Sequence, residues 1–151
     1  MRRAFLLFVL FALLGCDRGD QRSDPSQHLR AGWDYYRTAE YRLAAREFES
    51  AAQRAPISSA DEIQALYGLA TTLDLGRPDR DPARAAQTYE QIIADSPASD
   101  LAAWSMLALA RMNEIVAIGE TIQRPAASAA YQRVIDHYPD HPAAEEALLH
   151  Q

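Results

Sequence analysis

Hydrophobic and polar positions alternate along the chain with a helical period from residue 25 onward, and nowhere with the period of two that a strand requires. In the stretch AGWDYYRTAEYRLAAREFESAAQRAP, Leu43, Ala44, Phe48, Ala51 and Ala52 fall on one helical face, with Arg42, Arg46 and Glu49 outside it. The same face recurs downstream. Ala44, Ala85 and Ala127 are each followed four residues later by Phe48, Tyr89 and Tyr131, and eight residues after that by Pro56, Pro97 and Pro139. Successive landmarks stand 41 and then 42 residues apart, which makes the chain an internal repeat.

Start and stop signals divide each repeat into two helices. Asp24-Pro25 and Asp81-Pro82 each place a capping acid before a proline at the first helical position. Ser59 and Glu62 have capping-box spacing, and Gly76 is placed to stop the helix that follows. The pattern predicts helices over 25–38, 40–54, 59–75, 82–95, 100–118, 125–137 and 143–149, with the fifth the longest and ending at Gly119. Small residues at Gly32 and Ala44 would let paired helices approach to roughly 8–10 Å, with Tyr35 and Phe48 filling the space beside the contact.

Before residue 25 the pattern is different. Arg2 and Arg3 precede an unbroken apolar run over 4–14, too short to span a membrane but of the length of a signal-peptide core. Leu13-Leu14-Gly15-Cys16 closes it, and Cys16 is the chain's one cysteine, which excludes an internal disulfide framework and a cysteine zinc cluster. The sequence DRGDQRSD that follows is polar and aperiodic, as a tether is. The expected organisation is therefore a signal peptide over 1–15, a modified cysteine and tether over 16–24, and a repeat domain over 25–151.

Charge narrows the partners. The formal charge is −6, every side-chain cation other than histidine is an arginine, and loss of Arg2 and Arg3 would leave 13 arginines against 21 acids, a net of −8. Such a surface repels nucleic acid. Catalytic patterns find little support: no serine sits in a nucleophile elbow, no glycine-rich loop precedes a helix, and Pro139 separates His137 from His141, so they cannot share a helical face as metal ligands. The expectation is a chain with no enzymatic activity, no metal and no small-molecule cofactor. Arg37, Arg42 and Arg46, interleaved with Glu40, Glu47 and Glu49, read as a solvated face with pairing at i,i+4.

The residues of the repeats resemble the tetratricopeptide repeat. Ala31, Gly32, Tyr35, Ala44, Phe48, Ala51 and Pro56 carry the likeness in the first copy; Tyr67, Gly68, Ala85, Tyr89, Ile92 and Pro97 in the second; Trp104, Leu107, Ala108, Ala127, Tyr131, Val134 and Pro139 in the third. Copies two and three depart from the 34-residue pattern by insertions at the turns near 77–81 and 119–124 and by Thr71 and Arg111 in place of a tyrosine. The resemblance implies an all-α solenoid of three helical hairpins plus a C-terminal capping helix, whose first helices line a concave, ligand-holding side. Phasing from Gly32, Gly68 and Ala108 assigns to that groove Leu29, Trp33 and Tyr36, then Ala65, Leu69 and Thr72, then Ser105, Leu109, Met112 and Asn113. Trp104 is expected in the core. The implied ligand is a protein or peptide segment with apolar side chains.

The end of the apolar run resembles the lipobox of bacterial lipoproteins. That resemblance implies lipidation of Cys16, palmitate among the acyl chains, and a membrane-anchored domain facing the periplasm of the cell envelope; Asp17 resembles an inner-membrane retention signal, although the choice of membrane stays open. VIDHYPDHPAAEEAL is similar to repeats of the tetratricopeptide lipoprotein of the outer-membrane β-barrel assembly machinery. The expected function is a scaffold for protein–protein interaction in envelope assembly, with a self-associating structural protein or an accessory subunit of a secretion, pilus or cell-wall complex as alternatives.

Overall fold

The computed structural model describes residues 24–114 and 124–150; the expected signal peptide, Cys16 and most of the tether lie outside the described residues. Within them the chain is all helical: α1 (Pro25–Arg37), α2 (Tyr41–Arg54), α3 (Ala60–Leu75), α4 (Pro82–Asp95), α5 (Asp100–Met112), α6 (Arg124–His137) and α7 (Pro142–Leu148). Three antiparallel hairpins, α1–α2, α3–α4 and α5–α6, stack in sequence with α7 against the last. This is the tetratricopeptide-like solenoid that the repeats imply.

Local chemistry sets the helix ends. Asp24 accepts from the Ser26 N–H and Asp81 from the Arg84 N–H, each before a proline that needs no partner for its missing donor. Ser59 Oγ accepts from the Glu62 N–H at 3.2 Å, but the Glu62 carboxylate receives the N–H of Ser58, one residue earlier than a reciprocal box would have it. Gly76 does cap α3, in an extended conformation with φ −74°. Glycine is needed there for space, because a Cβ would press into the Tyr41 ring at 2.8 Å.

The fifth helix stops earlier than the apolar pattern predicts, which makes α3 the longest among the described residues. Asn113 ends it: its Nδ2 donates to the Leu109 carbonyl at 3.0 Å, and the N–H groups of Asn113 and Glu114 tighten onto Ala110 and Arg111. Residues 115–119 lie outside the described residues.

The landmark residues form the core. Ala44, Ala85 and Ala127 are buried, as are Phe48, Tyr89 and Tyr131 on the same faces of α2, α4 and α6. Phe48 joins the first two hairpins. A Cβ at Gly32 on α1 would lie 2.6 Å from its ring and one at Gly68 on α3 would lie 2.5 Å away, so the ring is held between two bare helix backbones. The buried side chains divide into two clusters, one spanning α1 to α4 with Ala102, the other spanning α5 to α7. Trp104 packs against the second cluster, edge-on to His141 at 5.5 Å.

The two layers of the slab are unequal. Among the first helices, α1 touches α3, α3 touches α5 and α5 touches α7, whereas the backbones of α2, α4 and α6 stay more than 8 Å apart at their Cα atoms among the described residues, bridged only by side chains such as Arg84 and Glu49. Helices close together on one side and apart on the other give a slab that bends toward the first-helix side.

Candidate partner-binding site

The closely spaced first-helix face carries a cleft of about 390 Å³ lined by Trp33 of α1, Gln64 and Tyr67 of α3, and Asp100 and Leu101 of α5. Trp33 is held from behind, edge-on to Phe48 at 4.9 Å and to Tyr36 at 5.7 Å. Tyr67 is likewise fixed by an edge contact to Tyr89 at 6.1 Å. Two aromatic side chains are thus oriented by the core while contributing surface to the cleft, the arrangement that yields contact area at small entropic cost. Burial raises the Tyr67 phenol above its usual pKa, with the nearby Arg111 and the Thr71 hydroxyl opposing. Tyr36 is raised by burial and then by Tyr41, Tyr67 and Asp74 around it.

Several residues assigned to a groove from the sequence belong elsewhere. Leu29, Leu69 and Thr72 are buried, as are Ala65 and Ser105, and none presents a side chain to a partner. Thr72 turns inward, its hydroxyl donating to the Gly68 carbonyl at 2.7 Å. The phase fails on α3 because this central helix packs against α1, α2, α4 and α5 and is apolar around most of its circumference. Gln64 and Tyr67 face the cleft instead, and the sequence named Tyr67 only as a landmark of the second repeat beside Gly68.

Leu109, Met112 and Asn113 are brought together, but on the opposite side. With Glu90 and Ile93 of α4, Met106 of α5 and Arg133 and His137 of α6 they line a cleft of about 670 Å³, opened where α4 and α6 stand apart and floored by α5. Tyr36 sits at neither cleft; it packs edge-on to Trp33 and Tyr41.

The charged residues pair across the fold rather than at i,i+4. Arg42 bonds Asp79 at 2.5 Å and Arg84 bonds Glu49 at 2.5 Å, both linking hairpin one to hairpin two, while Glu47 meets His28 Nδ1 at 2.6 Å. Arg37 pairs with Asp34. Arg80 folds the inserted loop back onto the buried Asp74, donating to its carboxylate at 3.1 Å. The departures from the repeat pattern also make polar links: Thr71 faces the Tyr89 hydroxyl at 3.3 Å and Arg111 pairs with Glu146 of α7. Among the described residues no group of three or more His, Cys, Asp or Glu is placed to hold a metal, and no helix is long and apolar enough to cross a membrane.

A tetratricopeptide repeat model matches residues 64–99. The match runs from Gln64 in α3 through α4 to the turn at Pro97, so the chain contains a tetratricopeptide repeat at its second hairpin. No curated protein and no solved structure matches the chain. Repeats of this kind commonly bind protein or peptide partners, and the second hairpin supplies Gln64 and Tyr67 to the first-helix cleft.

Proposed function

We propose that this protein is a lipid-anchored scaffold of the bacterial cell envelope that holds a segment of another protein against its first-helix face. The observation that carries the scaffold reading is the cleft between α1, α3 and α5, where Trp33, Tyr67 and Leu101 combine fixed aromatic and apolar surface. The anchor is supported by sequence: the apolar run over 4–14 ends at Leu14-Gly15-Cys16, and only a thiol can take the lipid on sulfur. More than one acyl chain makes such attachment stable. The domain over 25–151 would face the periplasm, where a stack of repeats could serve in assembling other envelope proteins. No reaction is assigned to it.

Two experiments test this reading. Cells fed labelled palmitate should label the wild-type protein and not Cys16→Ser; label that survives the substitution refutes the anchor. A photoreactive residue at Leu101 should crosslink one defined envelope protein, and the same residue at the exposed Gln53 of α2 should not. Equal crosslinking from both positions refutes the cleft as the docking face.

A second reading, self-association, is favoured by the exposed Leu148 and Leu149 at the end of α7. Sedimentation decides it: a concentration-dependent dimer abolished by Leu149→Glu supports it, and a monomer at all concentrations removes it.

A further inference from the structure

Resting on the reading of the first-helix cleft as a docking site, we infer that the cleft selects a basic side chain, an arginine or lysine flanked by apolar residues, in the partner segment. The argument is charge complementarity beside oriented aromatic rings. Asp100 lies at the cleft's edge with its side chain 89% exposed, and its basic neighbour is His141, whose Nε2 is 3.7 Å away. That approach is longer than a hydrogen bond, and His141 is held by its other ring nitrogen, Nδ1, which accepts the Ala143 N–H at 3.0 Å.

The arginines of the same layer are engaged elsewhere: Arg37 with Asp34, Arg111 with Glu146, and Arg30 through its Nε with the Ser26 carbonyl. Asp61, one turn before Gln64 on α3, adds a further negative charge on that layer. Trp33 and Tyr67 line the cleft beside Asp100, so that a cation held there lies against aromatic rings, and Leu101 offers apolar surface to its methylene stem. A volume of about 390 Å³ admits such a side chain with part of its neighbours. An acidic side chain would meet Asp100, and a purely apolar one would gain nothing from it.

The probe is a set of three short peptides, acetyl-Leu-X-Leu-amide, with X as arginine, its uncharged isostere citrulline, or glutamate. The readout is the indole N–H resonance of Trp33 in the full chain held in detergent micelles, assigned by its loss in Trp33→Phe. The arginine peptide is expected to shift that resonance and to bind about tenfold more tightly than the citrulline peptide, with the glutamate peptide weakest. In Asp100→Asn, a surface change that leaves the core untouched, the preference should fall to about threefold or less. Equal binding of arginine and citrulline peptides, or tighter binding of the glutamate peptide, overturns the basic preference while leaving the cleft a docking site. No shift from any of the three also overturns it, and the crosslinking from Leu101 then decides separately whether the cleft docks a partner at all.

Discussion

Phe48, Tyr89 and Tyr131 occupy the same place in three successive hairpins, yet each is held differently. Phe48 is gripped between the backbones of Gly32 and Gly68 and ties two hairpins together. Tyr89 keeps its ring in the first cluster, and its hydroxyl reaches Thr71 at 3.3 Å. Tyr131 is as deeply buried, stacks with His150 at 5.1 Å, and its hydroxyl has no hydrogen-bond partner among the described residues; the Ser105 hydroxyl in the neighbouring α5 is likewise unpartnered. A repeat therefore conserves the volume at a site within the chain without conserving how that volume is stabilised. The first two copies are joined by shape, and the third sets its phenol beside the Glu114 carboxylate without a hydrogen bond of ordinary geometry among the described residues.

The largest effect expected from breaking this comparison is at Phe48. Phe48→Ala should lower the unfolding free energy by about 3–5 kcal/mol in a urea titration, since it removes a ring from two interfaces at once. Gly68→Ala comes next. The added methyl meets the ring, and overpacking of about 1–3 kcal/mol outweighs the roughly 1 kcal/mol gained in helix propensity. In a Phe48→Leu background the sign should reverse, and a double-mutant cycle measures the coupling.

Smaller changes separate the two tyrosines. Tyr89→Phe should cost about 0.5–1 kcal/mol through the lost bond to Thr71, whereas Tyr131→Phe should change the thermal midpoint less, because its hydroxyl makes no hydrogen bond of ordinary geometry among the described residues. The smallest effect is confined to alkaline solution. Burial raises the phenols of Tyr89 and Tyr131, the latter also through the adjacent Glu114 carboxylate, so each is protonated in the fold at pH values where the unfolded chain would ionise it. Their contribution is complete below the unfolded value near about 10 and is lost as pH rises toward the folded one, so stability should fall above about pH 10. The fall should be shallower in Tyr89→Phe.

The architecture was legible because the landmarks repeat at 41 and 42 residues, and a spacing held at three positions survives insertions in the turns. Helix starts were legible for the same kind of reason: Asp24-Pro25, Ser59 and Asp81-Pro82 act through atoms within a few residues of one another. The binding face was harder. On α1, open on one side, Trp33 lines a cleft, but on α3 the helix has neighbours nearly all round and Leu69 and Thr72 look no different from a groove residue in one dimension. Leu109 and Met112 line a cleft on the other layer from the one their phase suggested, since the separation of α4 from α6 is a property of the stack that no single helix encodes.

The grip on Phe48 also decides where the slab can flex. Neither α1 nor α3 can slide or swivel over that ring without ejecting it, so the leading pair of hairpins moves as one stiff lever. Beyond it, α5 serves both apolar clusters, Ala102, Leu109 and Met112 facing the first and Ala103, Leu107 and Ala110 the second, while the outer helices α4 and α6 stand apart. Under the proposed docking, a segment seated across Trp33, Tyr67 and Leu101 would tie α5 to that lever.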